Sequence, residues 1–277
     1  MLRRRAKPLL GTLVEISVDG FPETSQADAA MNSAFAEIAL IHDLMSFHRV
    51  ESDVGRMNAS ETGDAVTVDM RTATVLLAAS QAAVESEYAF DCTVAAELVA
   101  SGLLPSHPSL AITRAASVRP VWEIDGNCFV KLAPCLIDLS GIAKGYAVDR
   151  AIAILRQHGC GDALVNAGGD MRHSGSEAAI VHLRAAGDPG SLPLALKLCD
   201  RALASSTAGG LDAAGAGALS ALIDGVSRLP IATGASVSVV APTCMEADLL
   251  TKVVLASENP RHPMLARHGA EAVHYYR

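Results

Sequence analysis

The six cysteines contain no C-x-x-C pair and the nine histidines no H-x-x-x-H spacing, which removes the usual signatures of a zinc cage or a transition-metal helix site. Cys92, Cys128, Cys135, Cys160, Cys199 and Cys244 are scattered and read as small apolar residues rather than a disulfide framework. No uninterrupted apolar run reaches the roughly 18 to 20 residues that span a bilayer. An excess of basic residues is missing too. The 22 Lys and Arg against 30 Asp and Glu leave a formal charge of −8, so no diffuse field favours nucleic acid or an anionic membrane, and a small anionic ligand needs local positive charge. Met1-Leu2-Arg3-Arg4-Arg5 resembles the start of a secretory signal, but Gly11, Thr12 and Glu15 interrupt the apolar region that should follow. Without that signal or a lipid-attachment cysteine, the expectation is a soluble, cytoplasmic chain. Internal repeats and low-complexity segments are absent.

What is present is enough apolar sequence for a large core. Half of the 277 residues are hydrophobic and 19% are charged, which suits one large domain or two closely packed lobes. Thr12, Val14, Ile16 and Val18 alternate with Leu13, Glu15 and Ser17 as a strand does. From Ser25 onward, Met31, Ala34, Phe35, Ile38, Ile41 and Met45 recur at helical spacing, with Asp28 expected at the helix's positive end. A second helix is expected over residues 72–86. Residues 101–120 carry Gly102, Pro105, Pro108 and Pro120 and read as a connection between lobes. Residues 121–124 and 128–132 read as a hairpin turning on Asp125-Gly126. A helix from Ser140 to Arg156 with Gly159 as terminator is followed by a strand at 163–165, then strand-like runs at 179–183, 194–198, 203–206 and 236–240. Strand pairs outnumber strand-helix-strand units, so the fold class is α+β, with mixed, largely antiparallel sheets and packed helices.

Chemistry concentrates in Asp138-Leu139-Ser140-Gly141-Ile142-Ala143-Lys144-Gly145-Tyr146-Ala147-Val148-Asp149 and, one helix later, Asn166-Ala167-Gly168-Gly169-Asp170. The paired glycines either let a ligand approach the backbone or serve turn geometry alone. Lys144, early in a helix where the dipole does not favour a cation, has either an anionic partner or solvent around it. Asp138 is either a helix cap or a ligand contact. Asp248 and Thr251 share a helix face, and their oxygens suit a hard cation or, alternatively, local capping and back-bonding. Residues 45–58, with His48 and Arg49, read as a helix end and loop.

Taken in order, these segments resemble the ApbE family, flavin transferases that split FAD and attach its FMN portion to a threonine or serine of an acceptor protein. Leu9-Leu10-Gly11-Thr12 is similar to that family's M-G-T opening, 45–58 to M-S-x-Y-R-x-x-S-x-x-x-x-x-N, and Tyr88-Ala89-Phe90-Asp91-Cys92-Thr93 to G-A-F-D-x-T. Residues 138–149 resemble D-L-G-G-I-A-K-G-Y-A-V-D, 164–170 L-V-N-A-G-G-D, and 236–254 V-S-V-x-A-P-x-x-x-x-A-D-A-x-x-T. The resemblance implies a single unit over 1–277 with a flavin cleft between lobes. It also implies an FAD site lined by Leu10, His48, Ala89, Phe90, Asp91, Asp138, Lys144 and Ile223. Magnesium would lie between the Gly141 carbonyl, Asp248 and Thr251. Asp248 and Lys252 are the implied catalytic candidates, and the implied partner is an acceptor protein with a D-x-x-[ST]-G-A-T-like motif.

Four departures stand out. Leu10 replaces a methionine and His48 a tyrosine, both suited to flat or apolar contact. Ala221 stands where the family carries a histidine, in Ala221-Leu222-Ile223-Asp224-Gly225. Lys252 falls where the family usually offers its metal-binding threonine, which places an ammonium near the expected phosphate oxygens. The alternatives to transfer are accordingly non-catalytic FAD binding and FAD pyrophosphatase activity.

Overall fold

The computed structural model describes residues 2–107, 119–183, 194–209 and 220–276. Its centre is a seven-stranded sheet made from β1 (Arg3–Leu9), β2 (Thr12–Asp19), β6 (Asp162–Ala167), β7 (Asp170–Ser174), β10 (Ala202–Thr207), β11 (Ser236–Ala241) and β12 (Glu271–Tyr276), in that spatial order. Every neighbouring pair is antiparallel. A three-stranded sheet, β3 (Ala65–Thr67), β5 (Cys128–Lys131) and β4 (Trp122–Asp125), and a hairpin, β8 (Ala179–Leu183) with β9 (Leu194–Leu198), complete the strands.

Alternation decides the faces of the large sheet. Val14, Ile16 and Val18 of β2, Ala163, Val165 and Ala167 of β6, and Val237, Val239 and Ala241 of β11 all enter one main core. Over it lie three long helices: α1 (Thr24–Met45) against β1 and β2, α5 (Ser140–Gln157) against β6 and β7, and α6 (Cys244–Ser257) against β7, β10 and β11. The opposite face is covered locally by the β8–β9 hairpin, whose Val181, Leu183 and Leu198 meet Met171 and Leu203. Phe129 and Trp122 of the small sheet stack at 5.8 Å between centroids and belong to the main core. The shorter helices are α2 (Asp53–Ala59), α3 (Met70–Glu85), α4 (Ala95–Ala100) and α7 (Pro263–Arg267).

Several local expectations shift. Asp125 pairs with Cys128, so the hairpin turns on Gly126 and Asn127 rather than on Asp125 and Gly126, with Gly126 at φ +56°. Because α1 already begins at Thr24, Asp28 lies beyond the first turn, and it accepts from Arg3 Nη2 at 3.1 Å instead of complementing the dipole. Arg3 and its neighbours form edge strand β1. Leu139 holds the N-cap position of α5 without a side-chain bond, and the Asp138 carboxylate one residue earlier does the capping, accepting from the Ser140 amide and hydroxyl at 3.1 and 2.5 Å. The expected connection at 101–120 lies partly outside the described residues, which omit 108–118. No helix among the described residues is long and apolar enough to cross a membrane.

Glu37 ties three helices together. Its carboxylate accepts both Nε and Nη2 of Arg71 on α3, at 2.8 and 3.0 Å, and Nε of Arg150 on α5 at 3.0 Å. Hydrogen bonding to Arg71, opposed by burial and reinforced by Arg150, lowers its pKa below the usual 4.5. A depressed carboxylate stabilises the fold above its unfolded pKa, and that stability is lost as pH falls through the folded value. Glu37→Gln is expected to cost about 2 kcal/mol, less than a fully buried pair because both arginines reach solvent. Urea unfolding at neutral pH measures this, and the gap between parent and variant should narrow as the pH falls below about 4.5.

Candidate functional site

The first turns of α5 and α6 meet at close range because position 145 is glycine. A Cβ there would lie 2.3 Å from the Cys244 carbonyl oxygen, so only glycine admits this helix crossing. Two carboxylates lock the approach. Asp149 accepts from the free amides of Cys244 and Met245 at the start of α6, both at 2.9 Å, and from Arg172 at 2.7 Å. Burial pushes the Asp149 carboxyl up, while Arg172 and the two amides draw it down. Asp248, fully buried on α6, accepts from the Gly145 amide at 3.0 Å.

Four charges converge at this crossing. Lys252 Nζ bonds Asp248 Oδ1 and also donates to the Asp248 carbonyl at 3.1 Å. Lys144 Nζ bonds Asp170 Oδ2, and Asp170 Oδ1 accepts from the Ser205 amide at 3.3 Å. Lys144 therefore has the anionic partner that its position called for, and it is a carboxylate of this chain. Burial acts against the Lys144 charge, but Asp248 and Asp170 outweigh it and hold the ammonium's pKa above its ordinary value. Burial, and then repulsion by Asp248, raise Asp170. Thr251 back-bonds to the Asp248 carbonyl at 2.7 Å and meets the Ser206 hydroxyl at 2.6 Å.

Beside this corner is a cavity of about 270 Å³ whose lining includes Leu10, Gly11, His42, Phe47, His48, Asp138 and Lys144. The expected residues Leu10, His48, Asp138 and Lys144 are thus brought together from three segments. Leu10 sits in the β1–β2 turn at φ +54°, left-handed backbone that costs a leucine of order 1 kcal/mol. Asp138 is held in place through its neighbour, since Asn58 Oδ1 accepts from the Ile137 amide at 2.7 Å and its Nδ2 donates to the Ile137 carbonyl at 2.9 Å. Burial raises the Asp138 carboxyl, against the Ser140 hydrogen bonds. Phe90 reaches the start of α5, with its Cε2 at 3.6 Å from where a Gly141 Cβ would project.

Asp91 and Ile223 belong to a neighbouring cluster. Asp91 is gripped by Arg119 and Arg228, each at 3.0 Å, and the Gly225 amide reaches the Ala89 carbonyl at 3.3 Å, anchoring the short turn whose bridge pairs Ile223 with Pro230. Sequence reasoning missed Arg119, Arg228, His42 and the ionic role of Asp170. For His42 a signal existed, three residues before Met45 on one helix face. Gly168 and Gly169, at φ +65° and +108°, make the β6–β7 turn, and a Cβ on Gly168 would meet Thr12 Oγ1 at 2.4 Å, so these glycines serve turn geometry and strand approach.

Magnesium, tested against these donors, does not fit the corner as built. Both Asp248 oxygens are engaged, one by an ammonium, and the Thr251 hydroxyl donates within its own helix. Among the described residues no group of three or more His, Cys, Asp or Glu side chains is arranged to hold a metal.

The large sheet and its helix layer form the ApbE-like α+β fold. Solved structures with that fold include the Thermotoga maritima ApbE protein (TM-score 0.81, 22% identity, 96% of this chain and 90% of that one) and apo flavinyl transferase ApbE of Pseudomonas stutzeri (0.79, 22%, 92% and 84%). Flavin transferase ApbE of Vibrio cholerae aligns at TM-score 0.77 and 25% identity over 92% of this chain and 87% of that one. The ApbE family model matches residues 10–275, and the chain belongs to the ApbE family. A Vibrio cholerae FAD:protein FMN transferase is 28% identical over 61% of this chain and 53% of its own length, and one of Rhodobacter capsulatus is 31% identical over 59% and 33%. The chain spans about half or less of the curated relatives it matches.

The helix crossing makes Gly145 the most sensitive position of the corner. Gly145→Ala gains up to about 1 kcal/mol of helix propensity, but the overlap with the Cys244 carbonyl forces the helices apart, at about 1 to 3 kcal/mol. Net destabilisation, seen as a lower urea midpoint with an unchanged slope, is the expected outcome.

Proposed function

We propose that this chain is an FAD:protein FMN transferase. The observation that carries the reading is the convergence of Leu10, His48, Asp138 and Lys144 on one cavity bordering the buried charge corner. The flat and apolar groups, Leu10, Phe47 and His48, suit an isoalloxazine ring, and the Lys144 ammonium stands where a diphosphate would gain charge-assisted hydrogen bonds. Ala89, Phe90, Asp91 and Ile223 do not line this cavity; in the proposed reading the rest of the dinucleotide reaches toward their neighbouring cluster.

In the proposed reaction a threonine or serine hydroxyl of an acceptor with a D-x-x-[ST]-G-A-T-like motif attacks the phosphorus on the FMN side. A new P–O bond forms to that oxygen, the P–O bond to AMP breaks, and AMP and a proton leave. The protein contributes position and field, the main sources of rate in phosphoryl transfer. Lys144 holds the diphosphate, and Asp170 orients Lys144. The magnesium implied by the resemblance does not fit Asp248 while Lys252 is bonded to it. Ala221 supplies no base, which favours FAD binding without transfer as the second reading.

Incubation of the chain with FAD and an acceptor carrying the motif, followed by acceptor mass and AMP assay, tests the proposal. Acceptor heavier by one FMN unit with equimolar AMP is expected. AMP with unmodified acceptor indicates hydrolysis, and neither product leaves binding alone. Lys144→Met should weaken FAD binding, read by quenching of flavin fluorescence, by about 10- to 100-fold, the worth of one hydrogen bond to a charged group.

A further inference from the structure

The charge corner balances without a metal. Lys144 and Lys252 face Asp170 and Asp248, two ammoniums against two carboxylates, so the formal sum is zero before any ion arrives. Asp248 is fully buried, and the Lys252 side chain is only 16% exposed. Lys252 Cε also lies 3.7 Å from the point where a Gly141 Cβ would project, so the lysine side chain packs between Asp248 and Gly141. A divalent cation there would meet one ammonium already bonded to its carboxylate and a second across Asp170. Like charges at such range, away from bulk water, repel strongly.

We propose that the Lys252 ammonium occupies the cation position of the diphosphate site, so that this chain binds its dinucleotide with a built-in positive charge and takes up no divalent ion at Asp248. The dinucleotide part of this statement rests on the FAD reading above, while the ion part stands on the corner alone. Lys252 is attached to the helix that carries Asp248, so its charge arrives with the fold and independently of magnesium concentration. As a point charge with three donors, an ammonium can keep Asp248 and still offer a proton to a phosphate oxygen.

Magnesium titrated calorimetrically into the full chain, with and without FAD, reads the ion directly. The parent should show no saturable binding at millimolar magnesium, and its FAD affinity should change by less than roughly twofold between EDTA and magnesium. Lys252→Thr, which removes the ammonium and offers a hydroxyl, should acquire saturable magnesium binding, and its FAD affinity should become about tenfold tighter in magnesium than in EDTA. Saturable magnesium binding by the parent that disappears in Asp248→Asn would overturn the proposal, as would a folded Lys252→Thr chain that gains no magnesium binding. If Lys252→Thr does not fold, the parent and Asp248→Asn titrations decide. Failure of FAD to bind the parent under either condition would refute the function reading while the magnesium titrations still decide the ion.

Discussion

Two carboxylates buried within one helix crossing are tolerable only if cations are buried with them. An unpaired ionised carboxylate in a protein interior costs several kcal/mol, and Asp170 and Asp248 are both within a percent of complete burial. Lys144 and Lys252 meet that demand, one from α5 and one from α6 itself. The requirement fixes more than charge. Lys144 must leave α5 toward β7 to reach Asp170, which aims the first turn of α5 at the cavity edge, and Gly145 must follow it so that α6 can come close enough for Asp248 to find the Gly145 amide.

The layers around the crossing hold this geometry rigid. Asp149 satisfies the first free amides of α6 from one turn further along α5, so the two helices are registered by hydrogen bonds as well as by packing. At the same helix start the Thr243 hydroxyl accepts from the Glu246 amide at 3.2 Å and donates to the Glu246 carboxylate at 2.7 Å, a side-chain cap on one of the first free amides. On the cavity side, Asn58 bonds both backbone groups of Ile137 from a helix 79 residues earlier. A site supported by locked helices and a buried amide is preorganised, so little binding energy is spent on ordering it.

Legibility in the sequence followed the range of each interaction. The β2 alternation and the α1 stripe are local periodicities, and both elements formed as read. Edge strand β1 was hidden because Arg3, Arg4 and Arg5 break no rule for an edge, where charge is common, yet resemble the start of a leader. β12 carries no strict alternation, since its four central residues are all half-buried. The turn at Gly126 was displaced by one residue because Asp-Gly and Gly-Asn are both acceptable turn pairs, and only pairing of Asp125 with Cys128 selects between them. The cavity residues Leu10, His48, Asp138 and Lys144 were legible through ordered motifs. Arg228 was not, because its partner Asp91 is 137 positions away and neither segment signals the other.

Lys252 shows why motif and geometry must be weighed together. Read by position, it is a lost threonine ligand and weakens the case for a working site. Viewed in space, it completes a neutral quartet, and removing it would leave two buried carboxylates, Asp170 and Asp248, sharing the single ammonium of Lys144. The two descriptions differ in what they hold constant. A motif compares residues one at a time, whereas burial constrains the sum of charges in a volume. Where a divalent cation and a threonine could together neutralise such a corner, a lysine can do so alone, and it ties the corner's electrostatics to folding instead of to ion supply.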